Sequence, residues 1–248
     1  MGIAYELFQA SFTALNRVLK RPFSYTDDGL YTMHNADFLN DPRFVHAYRL
    51  ATATDHGLGK DLHIEWRVHV CCWAATQALQ HEGDFVECGV NSGIYSRAVA
   101  DYVAFETLPR RFFLMDTFAG IPKDQFVTEE RGTGLHERYV YKNQLESVRA
   151  QFATYPNVEI VAGRIPETLS AVTPDKVAYL SIDMNAVVPE IAAAEHFWER
   201  LVSGAVIVLD DYGFHHHIVQ KNAFDAFAKA RGVSVMSLPT GQGIIVKP

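Results

Sequence analysis

From Phe85 onward, short apolar runs alternate with segments whose apolar residues recur at helical spacing. The runs predict strands at 85–88, 112–115, 158–161, 177–182 and 205–209, and the segments between them predict helices near 94–106, 142–154, 188–202 and 218–231. Upstream, Ile64 to Gln80 reads as a helix carrying Trp66, Val70, Trp73 and Leu79 toward the core. Two final strands, 233–237 and 243–247, flank Pro239-Thr240-Gly241, a hairpin signal. Alternating strand–helix units imply a parallel sheet covered on both faces, and the hairpin adds a reversed strand. Residues 1–60 break this pattern. Tyr5, Leu7, Phe8, Phe12, Leu15, Val18 and Leu19 mark an amphipathic helix ending before Arg21-Pro22. A loop-rich segment follows, with Asp27-Asp28-Gly29, Asn40-Asp41-Pro42 and Gly57-Leu58-Gly59. The expected organisation is a helical N-terminal extension over 1–60, packed on the core or on a second subunit, and an α/β domain over 61–248.

Bulk properties narrow the function by exclusion. A chain of 248 residues holds one substantial α/β domain plus an extension. The net charge of -7, with no Lys/Arg block interleaved with aromatics, argues against a nucleic-acid partner. Cys71, Cys72 and Cys88 form no Cys-x-x-Cys pair and read as buried thiols in a reducing compartment. With no leader pattern and no apolar run of membrane-spanning length, a cytoplasmic location without membrane partners is expected.

The chemistry concentrates at predicted strand ends, where open α/β sheets bind ligands. Phe85-Val86-Glu87-Cys88-Gly89-Val90-Asn91-Ser92-Gly93 is a strand ending in an acid, a glycine turn and a helix start. Glycines there let backbone N–H groups and a helix N-terminus approach a ligand. It is not the dinucleotide fingerprint, because Asn91 stands where that motif places its second glycine. Asp116, Asp183 and the Asp210-Asp211 pair end later strands. A single such acid is often a helix cap; the repetition points to a ligand. Asp183, Asp210 and Asp211 belong to strands expected to be adjacent, and three converging carboxylates need protons or a cation between them. Oxygen-only sites suit Mg²⁺ or Ca²⁺, which would hold a diol and lower the pKa of its hydroxyl. The alternative has Asp211 capping the next helix and Asp183 only orienting a cofactor. In His215-His216-His217, His215 is a candidate base, against a solvated loop as the alternative. The loop 117–141 has the length of a lid, with Gly132 and Gly134 as hinges and Tyr139 and Tyr141 facing an acceptor, or else it is a surface loop. The turn Leu238–Gly243 is expected to be structural.

Taken together, Glu87-x-Gly89-x-x-x-Gly93, Asp116-Thr117-Phe118-x-Gly120-Ile121-Pro122, Asp183-x-Asn185 and Leu209-Asp210-Asp211-Tyr212-Gly213 resemble the macrocin O-methyltransferase family over roughly residues 64–248. The resemblance implies a Rossmann-like class I methyltransferase: a seven-stranded, mostly parallel sheet with helices on both faces and an antiparallel last strand. It implies a S-adenosyl-L-methionine (SAM)-dependent O-methyltransferase, divalent-metal-assisted, acting on a hydroxyl of a sugar or glycosylated small molecule. The SAM-binding set is then Glu87, Gly89, Asn91, Ser92, Gly93, Ser96, Asp116, Thr117, Phe118 and Asp183, with Gly163 and Arg164 near the adenine. Asp183, Asp210 and Asp211 match the family's magnesium ligands. One departure stands out: Asp183-Met184-Asn185 replaces an Asp-Gly-Asp, and an amide cannot accept a proton. Catalytic candidates are therefore Asp183, Asn185 as a hydrogen-bonding group, and His215. Alternatives are a catechol- or phenol-type O-methyltransferase, although Ala186 stands where such enzymes would carry a lysine, or a non-catalytic SAM-binding partner protein. A nicotinamide oxidoreductase is disfavoured by the missing glycine and the absence of a Tyr-x-x-x-Lys pair. The apolar N-terminal helix adds the expectation of a homodimer.

Overall fold

The computed structural model describes Ser11 and residues 23–53, 62–132 and 143–248. Seven strands form one sheet in the order β3-β2-β1-β4-β5-β7-β6. They are β1 (Asp84–Cys88), β2 (Phe112–Asp116), β3 (Val158–Ala162), β4 (Val177–Ile182), β5 (Leu201–Leu209), β6 (Met236–Ser237) and β7 (Gly243–Val246). The first five are parallel, and β7 runs antiparallel to both β5 and β6. The helices are α1 (Pro42–Thr52), α2 (Glu65–Ala78), α3 (Ile94–Tyr102), α4 (Thr128–Arg131), α5 (Leu145–Gln151), α6 (Val187–Trp198) and α7 (Ile218–Ala230).

Strand alternation sorts the core into two layers. Phe85, Phe112, Leu114, Tyr179, Val206 and Val208 face α2, α3 and α5, while Val86, Phe113, Met115, Leu180, Ile207 and Leu209 face α6 and α7. The chain leaves β1 toward β2 and β3, then returns to start β4 on the other side of β1. A crevice must open where the direction of winding reverses, so the carboxyl ends of β1 and β4 are where a ligand fits.

The predicted strands and helices of the domain are present, with shifted ends. β5 starts at Leu201 because α6 stops at Trp198, and the penultimate strand shrinks to Met236–Ser237. α3 ends at Tyr102, before Ala104 turns left-handed at φ 49°. Trp73, expected in the core, is 42% exposed. The extension differs more: its loop-rich part contains α1. The Asp41 carboxylate accepts from Arg43 N–H at 2.8 Å with Pro42 in the first turn, so Asn40-Asp41-Pro42 is a helix start rather than a turn. α1 packs on α3 through Phe44, Ala47 and Ala51. Apart from Ser11, the helix expected near 5–19 lies outside the described residues, as does Gly57-Leu58-Gly59. Among the described residues, no helix is long and apolar enough to cross a membrane.

Gly89 fixes how the ends of β1 and β4 meet. Its φ is +93°, and an added Cβ would fall 1.8 Å from the Asp183 carbonyl oxygen. Around it, Gly89 N–H donates to Met115 O and Asp183 N–H to Cys88 O, at 2.9 and 2.8 Å. Backbone packed this tightly cannot yield to a methyl group. Gly89→Ala is expected to cost more than about 2 kcal/mol and lower the melting temperature by at least about 5 °C. A thermal melt indistinguishable from wild type would refute this close approach.

Candidate cofactor cleft and carboxylate cluster

A cleft opens at the carboxyl ends of β1, β2 and β4, where open α/β sheets bind ligands. Of the residues predicted to hold a cofactor, Gly89, Asn91, Asp116, Thr117, Phe118, Gly163 and Asp183 line it. Asp116 organises the floor. Its Oδ2 accepts from Val90 N–H at 2.6 Å and Asn91 N–H at 2.8 Å, and its Oδ1 from Phe118 N–H at 2.6 Å. Phe118 sits at φ 53°, a costly conformation for a bulky side chain. The bond to Asp116, the acceptance of Gln144 N–H by its carbonyl at 2.9 Å, and the burial of its ring hold it there.

Glu87, Ser92, Gly93, Ser96 and Arg164 do not line the cleft. Strand parity explains Glu87: it shares its face with Phe85 and is buried beneath α3 rather than aimed past the strand end. Burial pushes its pKa well up, with hydrogen bonding from Ser96 partly offsetting this. Ser96 leans back on the Gly93 carbonyl, Gly93 caps α3 in a left-handed conformation, and the Ser92 carbonyl accepts from Gln151 at 2.9 Å. Arg164 points outward to Asp124 and Glu167. That pair, with the bond from Gln125 Nε2 to Ile165 O, fastens the start of the 117–141 loop over the Gly163 turn. Met115, Gly120, Ile121, Pro122, Gln125, Ile165, Met184, Asn185 and Pro189 complete the lining. Gly120, Ile121 and Pro122 belong to the Asp116–Pro122 motif and Asn185 to Asp183-x-Asn185, whereas the others carry no local signal.

Beside the cleft, Asp183, Asp210 and Asp211 bring one carboxylate oxygen each to within 4.8 Å of one another. β4 and β5 are paired in register, with Ile182 opposite Leu209, so the next residues emerge side by side. Burial and then the charges of Asp210 and Asp211 drive the Asp183 pKa well up. Burial and then Asp210 push Asp211 up to about 8. Each carboxylate has its own support. Asn185 Nδ2 donates to Asp183 Oδ1 at 3.0 Å. Arg67 Nη1 and Gln242 Nε2 donate to Asp210 Oδ2 and Oδ1, at 2.9 and 3.0 Å. His217 Nε2 lies 3.6 Å from Asp211 Oδ1, while Asp211 Oδ2 is buried without a hydrogen-bond partner.

His215 is exposed, and the histidine brought to the cluster is His217. The 3-10 turn His215–His217 decides this, because it directs its last residue inward. Gln220 donates from Nε2 to Glu190 Oε1 at 3.1 Å, so its Oε1 faces His217 Nδ1 at 2.6 Å and calls for a proton on that nitrogen. Burial lowers the His217 pKa. On α4, Glu130 accepts from Val187 N–H at 2.7 Å, capping α6 directly after the Asp183–Ala186 segment. Gly132 is described and closes α4; Gly134, Tyr139 and Tyr141 lie outside the described residues. Sequence reasoning missed Arg67, Glu130, Glu190, Gln220 and Gln242, and dismissed the turn that carries Gln242.

A mostly parallel sheet with a reversed last strand, a glycine turn after β1 and acids at the ends of β2, β4 and β5 define a Rossmann-like methyltransferase fold. The family model described as Macrocin-O-methyltransferase (TylF) matches residues 67–237, and the chain belongs to that family. Solved structures share the fold at low identity. The O-methyltransferase NovP is 21% identical with a TM-score of 0.64, covering 73% of this chain and 79% of its own. CalS11, a TDP-rhamnose 3'-O-methyltransferase of calicheamicin biosynthesis, is 16% identical with a TM-score of 0.53, covering 86% and 96%. The SAH-bound methyltransferase PaMTH1 of Podospora anserina is 13% identical with a TM-score of 0.51, covering 84% and 88%. No curated protein matches the chain by sequence.

The cluster sets a pH dependence. Asp211 holds its proton up to about 8 in the fold but only to about 3.8 when unfolded, so ionisation opposes folding. The stabilising effect of the bound proton is complete below about pH 4 and is lost as the pH rises to about 8. Chelator-treated protein is therefore expected to melt lower at about pH 8 than at about pH 5.5, with a shallower slope for Asp211→Asn. Parallel slopes for the two proteins would contradict the assignment.

Proposed function

We propose that the protein is a SAM-dependent O-methyltransferase that methylates a hydroxyl of a sugar or glycosylated small molecule, assisted by a divalent cation at Asp183, Asp210 and Asp211. The observation that carries this reading is the double position of Asp183, which lines the cleft and also belongs to the carboxylate cluster. An acceptor oxygen held at the cluster lies beside whatever the cleft holds. Family membership supports methyl transfer to oxygen. The likeness to CalS11, a sugar O-methyltransferase, and to the SAH-bound PaMTH1 supports a sugar acceptor and a SAM-type cofactor.

The residues suit both groups. Gly89 and Gly163 keep backbone close to the cleft, and Asp116, whose Oδ2 takes two backbone N–H groups and Oδ1 one, retains one acceptor position on Oδ1 for a ribose hydroxyl. Phe118, Ile121 and Ile165 give an adenine apolar walls. The cluster offers only oxygen donors, as Mg²⁺ prefers, and the orphaned Asp211 Oδ2 calls for a positive partner. When bound, SAM supplies an electrophilic methyl and the cation a Lewis acid for the acceptor hydroxyl. The protein orients and shields. Asn185 holds Asp183 by donating to it, a positioning role that leaves deprotonation to the carboxylates. His215, facing solvent, has no part. Glu130 anchors α4 to α6 and so helps exclude water from an in-line displacement whose rate comes largely from proximity.

The test is calorimetry followed by turnover. SAH is expected to bind wild type, with Asp116→Ala weakening it at least about tenfold, or about 1.4 kcal/mol. Methyl transfer to a nucleotide sugar or a diol glycoside is expected to stop with EDTA and resume with Mg²⁺. Turnover indifferent to chelation would remove the cation from the reading; turnover only on catechols would change the acceptor. Failure to bind SAM or SAH would sink the proposal.

A further inference from the structure

Arg67 on α2 lies between two carboxylates from distant parts of the chain. Its Nε and Nη2 fork onto Asp28 Oδ2 and Oδ1 at 2.6 and 3.0 Å, and its Nη1 reaches Asp210 Oδ2 at 2.9 Å. The Phe214 ring lies over the guanidinium, 5.6 Å away. Asp28 belongs to the N-terminal segment, held at φ 52° in a turn closed by Leu30 N–H to Asp27 O at 2.9 Å. On the other side of Asp210, the fully buried Gln242 accepts the Thr240 hydroxyl on Oε1 at 3.0 Å, so its Nε2 faces Asp210.

The distribution of these bonds matters. A guanidinium binds one carboxylate most strongly through its two-pronged fork, and here the fork is given to Asp28. Asp210 receives a single end-on bond, which fixes its rotamer. Without Asp28 the same guanidinium, almost sealed from water, would turn its full charge on Asp210 and compete with any cation there.

We propose that Asp28 and Arg67 are positioning residues for the cation site: Asp28 engages Arg67 so that it orients Asp210 without neutralising it. This makes the N-terminal segment a working part of the site, and it rests on the cation reading given above. A fork cannot form on an amide, whose NH₂ would face the guanidinium donors, so Asp28→Asn tests it with little change in shape.

Free Mn²⁺, followed by its EPR signal, would be titrated against wild type, Asp28→Asn, Arg67→Gln and the Asp28→Asn/Arg67→Gln double variant in the presence of SAH. SAH affinity in EDTA reports on the fold. Asp28→Asn is expected to weaken Mn²⁺ binding about tenfold, the scale of one charge lost near a partly screened site, with SAH affinity unchanged. The double variant, with no unbalanced guanidinium, is expected to recover most of the loss. Wild-type affinity in Asp28→Asn, or a double variant no better than Asp28→Asn, overturns the proposal. Wild type that binds SAH but no Mn²⁺ overturns instead the cation reading beneath it.

Discussion

Three carboxylates at the ends of two adjacent parallel strands are the constraint on which this structure turns. Register places Asp183 beside Asp210, and the sequence adds Asp211 to the same mouth. Burial and like charges at such distances raise the pKa of Asp183 and of Asp211 and oppose folding. The surroundings answer this locally. α2 contributes Arg67, the β6–β7 hairpin contributes Gln242, and the segment after β4 contributes Asn185. Each is a donor aimed at one carboxylate, and together they hold the carboxylates in place without consuming the opening between them.

Behind the cluster runs a second polar chain, from Glu130 to the start of α6 and from Glu190 through Gln220 to His217. Fully satisfied buried networks of this kind fix a unique arrangement more than they add stability. It joins α4, α6 and α7, the three helices that start just after the functional loops. The described part of the 117–141 loop is thus not a loose flap. Its short helix α4 is tied by Glu130 to the first residue of α6, three peptide units after Met184-Asn185-Ala186 begins to leave the sheet.

Much of this was readable from the chain, for reasons that also explain what was not. Apolar periodicity is set by local geometry, so the strands of the parallel sheet and the helices of the domain followed from spacing alone. Acids at strand ends follow from the same count, which is why Asp116, Asp183, Asp210 and Asp211 were all in view. Glu87 shows where counting must go one residue further, because strand parity turns its side chain under α3. The choice between His215 and His217 depends on the hand of a single 3-10 turn. Arg67 and Gln242 lie 143 and 32 residues from Asp210, and no local pattern announces a partner at such separations. Asn40-Asp41-Pro42 carries turn and helix-start signals at once; burial of Phe44 against α3 decides between them.

Asn185 bears on the same electrostatic constraint. A carboxylate at this position would stand 3.0 Å from Asp183 Oδ1 as an acceptor facing an acceptor, adding a fourth negative charge to a cluster already strained by three. The amide reverses the sign of that contact, and Asp183 gains a donor in place of a repulsion. In the proposed reaction this gain in order comes with the loss of a proton acceptor, which would leave deprotonation of an acceptor to the cluster itself. On the proposed reading, an amide at position 185 would shift acid–base chemistry from a residue beside the carboxylates to the carboxylates themselves, and the donors that hold them would matter more for the reaction.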